Sequence, residues 1–425
     1  MPKGLLRLLG ATVVIVVGAA PARAQVDEAR ARIYFAEAAA LCERDGGRLW
    51  GVSLCGPMVF ADPITKTIAT NQPAPDVPRP RILGFANAAL EWGDTRWSTF
   101  IWPWIPADDA RARGRLLMHE LFHRVQPGLG LFVPDGQNDH LDTLEGRYWM
   151  RLEWRALARA LGASGEARRA AVRDALTFRA ARRAAFPGAA ENEQRLETNE
   201  GLAQYTGTVT AASSPAAATA DAIAQLAKAE GEPTFFRSFA YPSGAAYGIL
   251  LDEWSPGWPR RITKDDDLGA LVAAAADLEP AADAGAAAAR YDAAALRAAE
   301  EERDAAQKKR VAEFRRRFVE GPVLVVPRGR NASFISTGMT PIPGAGTIYP
   351  GYRVAGEWGS IEAGFVLVSP DGSTLTVPAP ASVEGTTLTG DGWTVTLAPG
   401  WVVRPGARPG DYRVERAGEP DASKA

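Results

Sequence analysis

Apolar and polar positions along the chain change their period several times, and each change predicts an element. Val26 to Asp45 carries apolar residues at helical spacing, whereas Leu49 to Ala61 (LWGVSLCGPMVFA) reads as strand-rich, broken by Gly and Pro. RILGFA and WSTFIWPWIP predict further strands. Pro103 and Pro106 cannot donate to a ladder, so the second of these, Trp97 to Pro106, is expected at a sheet edge. From Asp108 to about Leu278 the pattern is helical, with a helical hairpin from Asp142 to Ala185. Residues 281–318 predict one long helix that turns Val311, Phe314 and Phe318 towards a neighbour, with Arg315 to Arg317 at its dipole-favoured end. From Gly321 the chain shifts to short alternating runs such as SIEAGFVLVS and GWTVTLAPGWVV, the signature of a separate all-β module. Trp393 and Trp401 are expected in its core.

Composition narrows the function. A chain of 425 residues implies more than one core, and its 46% hydrophobic content suffices to bury them. With 48 basic against 50 acidic residues, mixed along the sequence, there is no footprint for nucleic acid. Lys3 and Arg7, the apolar stretch from Leu8 to Ala20, and Ala22-Arg23-Ala24 form a signal-peptide pattern over residues 1–24, so export to a periplasm or the outside is expected. No later segment is long and apolar enough to predict a stable membrane span. In an oxidising compartment Cys42 and Cys55 are either a short-loop disulfide or a pair of buried thiols. The sequon at Asn331 matters only in a glycosylating host.

The chemistry concentrates in RLLMHELFHRVQ, residues 115–126, which holds two of the three histidines. Four residues apart on a helix, His119 and His123 share a face and can offer two imidazoles to one ion. Glu120, beside the first, is placed to act as general base towards a water, and that is the set a metal-dependent hydrolase needs. The alternative is a pair of surface histidines. A third ligand is required, and LETNEGLAQYTG, residues 196–207, offers Glu200. Glu145, His140 and Asp142 are the alternatives. There is no GxSxG elbow and no phosphate-binding GxxxxGK[ST] loop.

Asn199-Glu200-Gly201-Leu202-Ala203 together with HELFH resembles the gluzincin metallopeptidases, thermolysin and the zinc aminopeptidases, in which a glutamate on a later helix completes HExxH. Tyr241-Pro242-Ser243-Gly244 is similar to the aminopeptidase Tyr-x-x-Gly that opens a helix. The resemblance spans roughly residues 98–254 and implies an α+β thermolysin-like zincin catalytic domain, a mixed sheet with an edge strand plus a helical lobe, over residues 25–280. A helical connector (281–319) and a small all-β C-terminal domain (320–425) would follow. It implies Zn2+ held by His119, His123 and Glu200, with Glu120 as catalytic base, Tyr241 donating to the oxyanion, and a peptide or protein as substrate. Two departures stand out. The family leaves about twenty residues between the second histidine and the glutamate, whereas 76 residues, 124 to 199, lie between His123 and Glu200 here; an inserted hairpin would account for them. The Gly-x-Met-Glu-Asn motif that grips a free amino terminus is only begun, at Gly56-Pro57-Met58, before Val59 and Phe60. A zinc hydrolase of a non-peptide amide or ester and a non-catalytic binding protein are the competing readings. Glu197 and Gln204 are placed to support the site or to serve as ordinary helix-surface residues, Arg147 to bind a substrate carboxylate or a helical ion partner, and Trp102 and Trp104 to pack or to line a strand-addition site.

Overall fold

The computed structural model describes residues 25–418 except 81, 82, 85, 336 and 337, so the signal segment 1–24 lies outside the described residues, as do the side chain of Asn331 and half of RILGFA. The protein mixes helix and sheet, with a helical part and a C-terminal all-β region. It divides into two compact units, Ala22–Glu302 and Arg303–Ala425.

The first unit opens with α1 (Glu28–Asp45), capped by the Asp27 carboxylate, which accepts from the Arg30 amide. Cys42 near its end is bonded to Cys55, with Cα atoms 5.3 Å apart. A small mixed sheet follows, built from β1 (Met58–Ala61), β2 (Ile68–Thr70), β3 (Ala88–Trp92) and β4 (Thr95–Ile101), in the order β2-β1-β4-β3. Two expectations are corrected here. Most of Leu49 to Ala61 is turn and irregular chain, because only MVFA finds a ladder partner. The WSTFI strand β4 is interior, paired in parallel with β1 and antiparallel with β3, and the edge falls to β3. The prolines mislead because Pro103 and Pro106 lie past the strand, in a 3-10 turn and the loop after it, where no ladder hydrogen bond is asked of them.

Among the described residues ten helices follow β4. The first, α2 (Ala110–Val125), starts where Asp109 caps the Ala112 amide and stops just before Pro127, which cannot continue a helix. Leu117, Met118, Leu121 and Phe122 are completely buried, which fixes how the helix is rotated. The hairpin of α3 (Leu144–Gly162) and α4 (Gly165–Ala185) occupies much of the chain between His123 and Glu200. Then α5 (Ala189–Leu196), a π-helical turn Glu197–Gly201 and α6 (Leu202–Ala211) run on as one rod packed along α2. The two approach closely: a Cβ at Gly207 would stand 2.4 Å from the Arg115 carbonyl. Ser214 and Pro215 start α7 (Pro215–Ala229), and α8 (Ala240–Trp254) and α9 (Leu268–Ala276) complete the body. A buried ionic lattice braces α3, α4 and the rod: Arg179 bonds Glu153, Glu197 and Asp267, and Arg182 bonds Glu153 and Glu193.

The single helix expected over 281–318 is divided. α10 (Ala284–Ala288) ends in a 3-10 turn, and Asp292, at φ 55°, breaks the path before α11 (Ala293–Arg315). The poly-alanine pattern gives no sign of that left-handed residue.

In the described part of the second unit eleven strands form one sheet, from β5 (Val323–Pro327) to β15 (Tyr412–Arg416), its longest pair being β8 (Gly346–Gly356) on β9 (Gly359–Val368). Phe314 and Phe318 pack with Ile342, Ile348 and Leu367, and Val311 lies against them. Trp393 is in the core, whereas Trp401 is half-exposed under the Arg416 guanidinium.

Candidate metal centre

One side-chain cluster among the described residues has the donors and spacing to hold a metal ion: His119, His123 and Glu200, whose ligand atoms all lie within 4.8 Å of one another. The two imidazole Nε2 atoms are 3.0 Å apart, and Glu200 Oε2 is 3.3 Å from one and 3.4 Å from the other. All three side chains are mostly buried.

The surrounding amides decide which nitrogen of each ring carries its proton. Gln126, 1% exposed, points its Nε2 at the backbone oxygens of Thr198 (3.0 Å), Asn199 (3.2 Å) and Leu131 (3.3 Å), which can only accept. Its Oε1 is therefore left facing His123 Nδ1 at 2.8 Å, so that Nδ1 must be the donor. On the other ring His119 Nδ1 donates to Gln204 Oε1 at 3.2 Å. Gln204 is oriented in turn by Gln225, which donates to Thr208 and to the Asp221 carboxylate, itself bound by Arg115. Both Nε2 lone pairs consequently face the same point as a carboxylate oxygen. Three lone pairs at that separation repel unless a cation lies among them, and two imidazoles with one carboxylate are a donor set suited to zinc.

Without a metal, a proton serves as the cation. Burial alone would lower the pKa of His123, but the Glu200 carboxylate more than offsets it and raises it to about 9. Burial pushes the Glu200 carboxyl up, and the adjoining His119 and His123 imidazoles overcome that and hold it well below its ordinary value. Its second oxygen is occupied, since Arg237 donates to Glu200 Oε1 at 2.6 Å and also pairs with Asp135. Asp135 accepts from Asn199 at 2.7 Å, tying the loop after α2 to the π turn.

That π turn explains how a residue so far along the chain reaches the ion site. The turn winds with i→i+5 bonds, as from the Leu202 amide to the Glu197 oxygen, and the Gln126 amide donates to its Thr198 and Asn199 oxygens. Gly201 and Gly244 then allow α8 to press backbone on backbone against the turn: a Cβ on Gly244 would be 2.2 Å from the Gly201 Cα. This contact brings Tyr241, one turn earlier on α8, over the site. Its ring stacks on His119 with centroids 5.6 Å apart and planes 5° from parallel. Burial, followed by the nearby Glu200 charge, keeps its hydroxyl protonated well above the ordinary phenol range. Glu120 is also buried, and its Oε2 has no hydrogen-bond partner. Burial raises its pKa, so its protonated form is more accessible than that of an exposed carboxyl.

The other candidate ligands lie elsewhere. Glu145 is half-exposed and held by Arg297, His140 bonds Glu193 at 2.9 Å, and Asp142 accepts from the Phe235 amide at 2.6 Å. Arg147 is buried on Glu300 and stacked on Phe235, so it is not available to a substrate, and Glu197 holds Arg179 rather than a histidine. Trp102 packs with Tyr34 and Phe60. Trp104 leaves the strand and lines the same cleft as His119, His123 and Glu200, together with Asn87, Lys228, Arg237 and Tyr241. Sequence reasoning missed Gln126 and Arg237; the available signal was their place, one directly after HELFHRV and the other four residues before Tyr241. No helix among the described residues is long and apolar enough to cross a membrane. Comparison of the chain with protein-family models, with curated proteins and with solved structures gave no match.

Proposed function

We propose that the chain is an exported zinc-dependent hydrolase of gluzincin type, with a thermolysin-like catalytic domain, and that it cleaves peptide bonds. The observation that carries this reading is the convergence of two Nε2 lone pairs and one carboxylate oxygen, with tautomers fixed from behind, next to a buried carboxylate that has a vacant oxygen. His119, His123 and Glu200 would hold the zinc. When bound there, zinc would make a water more acidic and polarise the carbonyl under attack.

The remaining work falls to this chain's side chains. Glu120 takes the proton of the attacking water and returns it to the leaving amine, a role helped by the burial that makes its protonated form accessible. Tyr241, protonated across the working range, donates a hydrogen bond to the oxyanion of the tetrahedral intermediate. Arg237 holds the far oxygen of Glu200, leaving Oε2 towards the ion. The C-terminal β domain serves attachment to substrate or surface.

The test is metal analysis of the mature protein together with hydrolysis of a mixed peptide library by wild type and Glu120→Gln. Stoichiometric zinc in both proteins, with cleavage only by wild type, is the expected result. Zinc without Glu120-dependent cleavage would redirect the reading to a non-peptide amide or ester or to a binding protein. Absence of zinc would refute the hydrolase in both its peptide and its non-peptide form.

A further inference from the structure

The cleft over the metal cluster, about 610 Å³ in volume, has an uneven charge lining. Among the described residues its only carboxylates are Glu120 and Glu200, both part of the centre itself, whereas Arg115, Lys228 and Arg237 supply three cations. Two of these cations are already matched. Arg115 holds Asp221 at 2.6 Å, and Arg237 is shared between Glu200 and Asp135. Lys228, exposed in the last turn of α7, has no ion pair or side-chain hydrogen bond among the described residues. The next acidic residue along the chain, Glu230, is turned to Arg151 and Arg155 instead. A helix end alone favours a cation at position 228, but it does not account for a cleft whose only lining carboxylates, among the described residues, belong to the His119–His123–Glu200 centre and its neighbour Glu120. The same lining contributes Trp104, Pro106 and Leu116, an apolar surface within the same cleft.

We propose that Lys228 forms an anion subsite of this cleft, and that the preferred substrates are peptides carrying a carboxylate close to the bond that is cut. This rests on the hydrolase reading and adds the substrate class to it. The carboxylate belongs either to an acidic side chain or to a free C-terminus; both present the same group to the ammonium. The subsite acts in binding and takes no part in bond making, so its effect falls on KM rather than kcat.

The experiment uses the full-length, zinc-loaded protein and a matched peptide set: neutral with an amidated end, the same with Asp or Glu near the scissile bond, the same with a free C-terminal carboxylate, and the same with Lys. Wild type, Lys228→Gln and Lys228→Glu are compared; the site is on the surface, so both variants should fold. For wild type at low salt, kcat/KM for a carboxylate peptide should exceed that for the neutral one by about two- to fivefold, and the ratio should shrink as salt screens the pair. Lys228→Gln should remove the preference, and Lys228→Glu should turn it towards the Lys peptide. The acidic-side-chain and free-terminus arms show which source is read. An equal ratio in wild type and Lys228→Glu, or a wild-type preference for neutral peptides, overturns the subsite while Glu120-dependent cleavage leaves the hydrolase reading standing. If no peptide is cut in a Glu120-dependent manner, both fall together.

Discussion

Replacing Gln126 by Met keeps almost the same volume but removes every hydrogen bond the amide makes. The loss has two parts. The backbone oxygens of Thr198, Asn199 and Leu131 lose their donor, and His123 Nδ1 loses its acceptor, all at a position only 1% exposed. With one to three kcal/mol for each buried polar group left unpaired, and relaxation sparing some of them, the apo protein should lose about 3 kcal/mol. The second part concerns metal. Once free of Gln126, His123 can exchange tautomers and rotate, while the π turn bearing Glu200 loses the bonds that hold its oxygens, so zinc affinity should fall by roughly 10- to 100-fold. Urea unfolding of the metal-free protein measures the first effect, and chelator competition for zinc the second. A cobalt(II) absorption spectrum adds a readout that global destabilisation does not move, since it reports ligand geometry in molecules that remain folded. Unchanged zinc affinity and an unchanged cobalt spectrum in a folded, destabilised Gln126→Met protein would refute the claim that this amide links the second histidine to the carboxylate.

Glu200→Ala should abolish tight metal binding, whereas Glu145→Ala, which only frees Arg297 at the surface, should retain metal at wild-type stoichiometry; metal content after dialysis checks both. The Glu193 carboxyl is pushed up by burial but held well below its ordinary value of 4.5 by Arg182, His140 and Arg183, so its folded-state pKa is depressed. Its contribution is therefore complete above that ordinary value and is lost as pH falls towards the depressed one. Urea midpoints should decline with acidification below about pH 4.5, and a Glu193→Gln protein should be less stable at neutral pH with a flatter acid limb; a wild-type midpoint that does not move on acidification would contradict this. Reducing the Cys42–Cys55 bond, which closes a loop of 13 positions, should cost about 3 kcal/mol in an unfolding titration, while a Cys42→Ser/Cys55→Ser double variant loses a similar amount and becomes insensitive to reductant.

The histidine helix was legible because its chemistry and its period coincide within one element: four-residue spacing puts both rings on one face, and the apolar residues around them say that the helix is buried. Glu200 was legible as one of several candidates through a local motif, but not from spacing, since α3 and α4 separate it from His123. What removes Glu145, His140 and Asp142 is the ionic and backbone partners they find elsewhere, and partnerships across such distances leave no local mark. The same holds for Gln126 and Arg237, ordinary polar residues until the fold gives them something to hold. The strand errors have a different origin. Proline argues against placing Trp97 to Pro106 in the interior of a sheet, but the chain turns out of the sheet before the first proline, and TRWSTFI is free to pair on both sides. The division before α11 depends on one left-handed aspartate within an alanine-rich run, where helix propensity points the other way.

The swollen turn at Glu197–Gly201 has a consequence for how this chain can vary. Deleting one residue there would restore regular α-helical winding. It would also rotate everything on one side of the deletion by about 100° relative to the other, taking either Glu200 away from the imidazoles or Glu197 away from Arg179. A shorter version of this rod would thus be a more regular helix in which His119, His123 and Glu200 no longer meet, and the irregularity is what allows one rod to serve both the imidazoles and the ionic lattice.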